Sequence, residues 1–203
     1  MIKYLIIGYV SLYLVIWSHE VGHAYFYYKF GCKKNFFKVT VPLYLIFSTP
    51  QPIDLDKEKE LSKKQNFIVG LGGILINTIL GFLGIIIVKN IKIEPNNLYH
   101  FFWYSFSLFH FIEAASYTVL NNIIVASDIV TVQNYKPIYR IPLFLLGLVY
   151  VYFILDLINN SPHTWKLGLI ITSCILVLLM GILRVIFSYI MNKKNVDNVE
   201  VNK

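Results

Sequence analysis

The sequence predicts an all-α polytopic membrane protein of about five transmembrane helices, and two observations carry that reading. Of its 203 residues, 57% are hydrophobic and only 14% charged, whereas a soluble domain carries about 25% charged residues. The apolar residues also fall in runs. Phe67 to Val88, Ile141 to Leu155 and Leu167 to Leu183 contain no charged side chain, and about 20 apolar residues span a bilayer core.

Taken in order, the first span is expected over 4–29, because apolar residues continue to Phe30 past a polar cluster at 18–23. Its N-terminal run is read as retained rather than as a cleaved leader, since Trp17, His19 and Glu20 lie where the small residues of a cleavage site belong. The second span covers 67–88. The third covers 99–120 with a polar extension to 134, and it holds Glu113 and Asp128. Asn121 and Asn122 form its natural break, because Asn side chains compete for backbone hydrogen bonds. Broken backbone at membrane depth is tolerated where it lines a wet cavity. The fourth and fifth spans are expected over 141–158 and 166–190. Residues 1–192 then form one integral membrane domain, and 193–203 a polar tail. The Phe and Tyr residues around 99–104 and 150–153 are read as facing lipid or its interface.

The net charge of +7 follows this topology rather than a nucleic-acid site. Lys29, Lys33, Lys34, Lys38, Lys57, Lys59, Lys63 and Lys64 crowd the segment after the first span, and cytoplasmic loops collect Lys and Arg. Alternating spans add Lys136, Arg140, Lys193, Lys194 and Lys203 to the same side, and leave Lys3, Lys89, Lys92 and Lys166 opposite. The expectation is an integral protein of a bacterial cell membrane, N-terminus outside and C-terminus cytoplasmic. The bilayer is then its first partner and anionic lipid the contact of the basic loop. Cys32 and Cys174 form neither a disulfide framework nor a metal cluster by spacing.

Chemistry enters at His19-Glu20-Val21-Gly22-His23, an H-E-x-x-H stretch inside the first span. Side chains four apart on a helix share one face, so two imidazoles can hold one metal ion. Glu20 projects from an adjacent face and can act as a general base without being a ligand. Ionisable groups within a membrane are costly and mark function. If the helix ends near Phe30, His23 lies about 10 Å from its inner end, within reach of cytoplasmic water.

A catalytic zinc site needs a third protein ligand. Asp128, eight residues before Lys136, lies about 12 Å deep if helical, which matches His23. Glu113 is the rival, but it lies well above that depth. A hydrogen-bonded pair at i,i+3 is the simpler reading of His110 and Glu113.

Together these residues resemble the site-2 protease family of intramembrane zinc metalloproteases, in the small form without a PDZ or CBS domain. The first motif of that family is matched by His19 to His23. Its Gly-Gly-Pro-x-x-Asn motif is similar to Gly72-Gly73-Ile74-Leu75-Ile76-Asn77, with Ile74 in place of Pro. Its Asn-x-x-Pro and Asp-Gly motif is similar to "NNIIVASDI", with Asn122 as the Asn and Asp128 as the ligand, and with Val125 and Ile129 where Pro and Gly are usual. The resemblance covers about residues 10–135. It implies one Zn2+ per chain on His19, His23 and Asp128, Glu20 as catalytic base, and Asn122 as a substrate-binding residue. Asn77 is expected either to bind substrate backbone or to bond a neighbouring helix. It also implies a membrane-associated β-hairpin within "CKKNFFKVTVPLYLIFSTP", and a membrane-spanning protein or peptide precursor as substrate. Gly72 and Gly73 also suit close helix packing. A different class of function stays open: a catalytically silent relative that binds a membrane peptide, as an immunity or transport accessory protein does.

The charge distribution yields a direct test. In a variant with Cys32 and Cys174 replaced by Ser, a membrane-impermeant thiol reagent on intact cells is expected to label Asn96→Cys and to spare Lys57→Cys. The reverse pattern would refute the orientation.

Overall fold

Helices organise this chain because most of its backbone has no water to bond and must satisfy itself locally. The computed structural model describes residues 2–45, 47–91, 97–174 and 177. Its helices are α1 (Ile2–Lys29), α2 (Leu55–Lys59), α3 (Lys63–Asn90), α4 (Leu98–Ala115), α5 (Asn122–Ile124), α6 (Ile129–Tyr135) and α7 (Arg140–Asn160). A π-helical turn, Ser116–Asn121, joins α4 to α5, and a 3-10 turn, Pro137–Tyr139, precedes α7. Residues 163–174 are also helical.

Starts are marked by caps. Ser62 and Gln65 form a reciprocal capping box at α3, Asn97 accepts from the Tyr99 amide at α4, and Asp54 accepts from the Lys57 amide at α2. Each replaces a bond that the first helical turn cannot make. α1 and α3 have 28 residues each, about 42 Å, more than a bilayer core requires.

Among the described residues three helices are long and apolar enough to cross a membrane, or up to four when the bent pair Leu98–Ile124 and Ile129–Tyr135 counts as one span. These correspond to the first four expected spans. The count of five is not reached: most of 166–190 lies outside the described residues, as does the tail.

α1, α3 and α4 pack against one another, and α7 covers α4. Small residues set the spacing. A Cβ on Gly22 would run into the Gly72 carbonyl, and a Cβ on Gly72 into the Gly22 carbonyl. The backbones of α1 and α3 therefore touch, the close approach that small residues permit between membrane helices. Gly84 admits Ser107 of α4 in the same way. α4 is the most enclosed helix, with its residues from Tyr104 to Ala115 all buried. This corrects part of the lipid-facing assignment. Tyr99 and Tyr152 are exposed, but Phe101, Tyr104 and Tyr150 are buried. Each buried tyrosine spends its hydroxyl inside: Tyr104 donates to the Leu157 carbonyl at 2.5 Å, and Tyr150 pairs with Thr78 at 2.6 Å.

The expected β-hairpin is also corrected. Among the described residues of the segment after α1 there is no strand, only one antiparallel bridge between Thr40 and Thr49, with both amide bonds at 3.0 Å. Pro42, Pro50 and Pro52 have no N–H for a ladder. Leu45 and Phe47 take left-handed φ values of 65° and 63°, which twist the backbone out of strand geometry. The segment instead re-enters beside α1. Phe37 stacks on Trp17 at 6.2 Å between centroids, and Tyr9 donates to the Leu43 carbonyl at 2.5 Å. Tyr9 precedes Lys29 by about 30 Å of helix, so the loop climbs most of the length of α1. Its return is tied by Lys33, whose ammonium donates to the Pro50 and Pro52 carbonyls at 2.7 Å each. Burial, and then the nearby Lys38 charge, hold that amine below the ordinary lysine pKa.

Gly22→Ala and Gly72→Ala are each expected to force α1 and α3 apart and to lower the detergent-solubilised melting temperature, a loss of about 1–3 kcal/mol. Gly8→Ala is the control, because its added Cβ would meet only Phe101 at an ordinary 3.9 Å. Equal melting of all three variants would refute the contact.

Candidate metal centre

Three side chains from two elements converge where α1, α3 and the loop before α6 meet. His19 and His23 lie one turn apart on α1 and are both buried. Their Nε2 atoms are 3.0 Å apart. Asp128 Oδ2 lies 3.5 Å from His19 Nε2 and 3.2 Å from His23 Nε2. That oxygen is buried and makes no hydrogen bond. Glu20, also buried, follows His19 on the same helix.

Each imidazole is held from behind. His23 Nδ1 donates to the Val69 carbonyl of α3 at 2.7 Å. Nδ1 therefore carries a proton, which leaves Nε2, the nitrogen nearest Asp128, as the one able to bind a metal. His19 is held on two sides. The Tyr117 ring stacks on it, 4.6 Å between centroids. The Asn77 amide lies 3.0 Å from its Nδ1, with Nδ2 toward His19 and Oδ1 3.0 Å from Nδ1 of His110. A half-turn of an amide exchanges its two ends without changing its shape. With Oδ1 turned to His19, the imidazole donates Nδ1–H and presents a bare Nε2, while the amide nitrogen donates to His110. That is the arrangement a metal selects.

Asp128 reaches the histidines because the third span breaks. Val125 and Ser127 both have φ of 53°, a left-handed conformation that costs about 1–2 kcal/mol per residue without glycine. The Ala126 amide bonds back to the Asn121 carbonyl at 3.0 Å, and Thr131 Oγ1 donates to the Asp128 carbonyl at 2.6 Å. Gly70 leaves room on α3: a Cβ there would strike Thr131 Oγ1 and approach the Asp128 carbonyl to 3.1 Å.

The donor set suits a tetrahedral divalent ion. Bonds of about 2.0–2.1 Å at tetrahedral angles put neighbouring ligand atoms about 3.3 Å apart. The three separations here are 3.0, 3.2 and 3.5 Å. Two neutral imidazoles and one carboxylate leave a fourth position for water or substrate, the pattern of a catalytic rather than a structural site.

The remaining candidates separate. Asn77 is fully buried with its amide between two histidines. Asn122 is bonded to Arg140: its Nδ2 donates to the Arg140 carbonyl at 2.8 Å, and its Oδ1 accepts from Arg140 Nε at 3.0 Å. Glu113 is buried on α4 and is not in the His19–His23–Asp128 cluster. Asn121 was missed by sequence reasoning. It is fully buried, and neither its Nδ2 nor its Oδ1 has a hydrogen-bond partner. The Asn pair was visible in the sequence and both members are buried, but only the fold pairs Asn122 with Arg140 and leaves the Asn121 amide without a partner.

The sequence model of a family described as Peptidase family M50 matches residues 7–195, more than nine-tenths of the chain. No curated protein matches the chain, and no solved structure does.

Gly73 gives a test confined to one ligand. A Cβ there would fall on the His19 ring, within 2.6 Å of its nitrogens, and Asn77 and Tyr117 leave that ring little room to swing. Gly73→Ala is expected to melt no lower than Gly22→Ala yet to bind a divalent transition metal at least about 10-fold more weakly than wild type, read by competition with a chelating dye. Unchanged metal affinity would show that His19 is not confined in this way.

Proposed function

Because the chain belongs to peptidase family M50, we propose that it is a zinc-dependent intramembrane endopeptidase, of the site-2 protease type, acting on a membrane-embedded protein or peptide precursor. Family membership supports a protease of the membrane. The observation that carries the finer reading is the convergence of the His19, His23 and Asp128 ligand atoms within 3.5 Å of one another, next to a buried Glu20.

His19, His23 and Asp128 would hold the ion, one per chain. A bound zinc supplies Lewis acidity, polarising the scissile carbonyl and acidifying water. Glu20 takes a proton from the attacking water on a carboxylate oxygen. It returns that proton to the amide nitrogen as the C–N bond breaks. His23, through Val69, and His19, through Asn77, keep their protons on Nδ1, so neither imidazole competes with Glu20 for the proton. The Asp128 carboxylate offsets part of the ion's charge where the dielectric is low.

Asn77 serves His19 in this reading and does not touch substrate. Asn121 offers a buried amide with both donor and acceptor available, which suits one residue of extended backbone. A substrate must be unwound to use it, because a helix hides its carbonyls in its own hydrogen bonds. Water reaches the centre from the cytoplasmic side, since His23 precedes the end of α1 by six residues, about 9 Å.

The reading makes a graded set of expectations. Protein purified without chelators carries about one zinc per chain, and His19→Ala or His23→Ala loses it. Glu20→Gln keeps the zinc but cleaves none of a panel of single-span test peptides reconstituted with it. Asp128→Asn lowers zinc affinity and cleavage by more than about 10–100-fold, whereas Glu113→Gln leaves zinc binding nearly intact. Zinc-free wild-type protein would sink the proposal. Wild-type protein that binds test peptides but cleaves none, with a cellular effect unchanged in Glu20→Gln, would make it a silent peptide binder.

A further inference from the structure

Asp128 is the ligand least secured by its own element. His19 and His23 stand on a continuous helix. Asp128 is the last residue of a four-residue break between α5 and α6, and two of the other three, Val125 and Ser127, hold left-handed φ values that β-branched and other non-glycine side chains disfavour. Within the loop the Ile129 amide bonds to the Ala126 carbonyl at 3.3 Å and the Val130 amide to the Ser127 carbonyl at 3.0 Å. Those bonds are local and would move with the loop. A strained segment of this kind keeps its shape only when the surrounding structure over-determines it.

The flanks of the break are joined by one side chain from outside it. Arg140, at the start of α7, donates from Nε to Asn122 Oδ1 at 3.0 Å and from Nη2 to the Asn122 carbonyl. From Nη1 it donates to Gln133 Oε1 at 3.0 Å. Asn122 returns a bond from Nδ2 to the Arg140 carbonyl at 2.8 Å. Asn122 precedes Asp128 by six residues and Gln133 follows it by five. One planar guanidinium thus ties both ends of the ligand-bearing segment to α7. Only arginine has three nitrogens fixed in one plane to do this; a lysine ammonium at the same place has a single donor atom. Asn122 is buried, so without Arg140 its amide oxygen and its carbonyl would lose their donors where little water can replace them.

We propose that Arg140 is a positioning residue for Asp128, bracing the broken segment at Asn122 and Gln133 so that the carboxylate meets the two histidines. The proposal rests on the reading of His19, His23 and Asp128 as a metal centre. It gives Arg140 a task beyond its positive charge at the membrane face.

The test uses the full chain in detergent, with zinc affinity from dye competition, the visible spectrum of the cobalt(II)-loaded protein, and the metal-free melting temperature. Arg140→Gln and Arg140→Lys are both expected to weaken zinc binding by about 10–100-fold and to alter the tetrahedral cobalt bands, with metal-free melting within a few degrees of wild type. Lys136→Gln removes a neighbouring charge that lies over the Tyr135 and Tyr139 rings, and it is expected to change neither affinity nor spectrum. In an Asp128→Asn background, adding Arg140→Gln is expected to cost no further affinity, because the arginine acts only through that ligand. Wild-type affinity and spectrum in both Arg140 variants, or a further loss in the double variant, would overturn the proposal. If Arg140→Gln does not fold, Arg140→Lys and its combination with Asp128→Asn decide by the same criteria. Absence of zinc from the wild type would instead overturn the metal centre itself, and the proposal with it.

Discussion

The contact between the Gly22 and Gly72 backbones holds the rest of the site in register. Two membrane helices gain no hydrophobic free energy from each other beyond what lipid already offers, so their separation is set by what lies between them. Here nothing lies between them but peptide groups. At that spacing the Val69 carbonyl is within 2.7 Å of His23 Nδ1 and the Asn77 amide within 3.0 Å of His19 Nδ1. A larger residue at either glycine would move both partners away from both imidazoles together. The same approach leaves Gly73 as the floor beneath the His19 ring.

Once two histidines are committed to the membrane interior, their unused nitrogens need partners, and those partners need partners of their own. His19 recruits Asn77, Asn77 recruits His110, and His110 is fully buried with Phe106 at its edge. α4 is enclosed on all sides, so that chain ends inside protein and not in lipid. The buried pairs Ser11–Ser105 and Ser107–Gly81, at 2.9 and 2.8 Å, extend the same principle through α1, α3 and α4. Polar groups in low dielectric are tolerated when each is satisfied. Asp128 Oδ2 and His110 Nε2, at the two ends of this network, break that rule, as does the Asn121 amide; an ion would complete the first.

The third span shows how an element is bent to deliver one oxygen. A π-helical turn, a three-residue helix and a loop with two left-handed residues replace what would otherwise be a straight helix, and the axis turns by 54°. The related motif usually carries a Pro and a Gly here. This chain has Val125 and Ile129 instead, so neither a Pro nor a Gly at those places favours the bend. It is held by Thr131 within the segment, by Gly70 beneath it, and by Arg140 across its ends.

Hydrophobic runs of bilayer length marked out three helices long and apolar enough to cross, and a bent pair that would make a fourth, because length and charge alone decide whether a helix can cross. The H-E-x-x-H spacing placed His19 and His23 on one face of α1, because the helical period brings i and i+4 together whatever surrounds them. Depth along the chain picked out Asp128 over Glu113, an argument about distance that needs no neighbours. The segment after α1 read as strand by its residue types, yet three prolines and two left-handed residues turned it into a loop lying along α1. Asn122 and Asn121 differ by one place in sequence, and only the folded chain ties the first to Arg140 and leaves the buried amide of the second without a partner. The role of Asn77 depends on what stands opposite it, which is His110, 33 residues away. Arg140 read as a charge marking the inner face of the membrane. That it closes on Asn122 and Gln133 is a property of the folded chain, since a guanidinium's partners are set by the surfaces that tertiary packing brings within 3 Å of its plane.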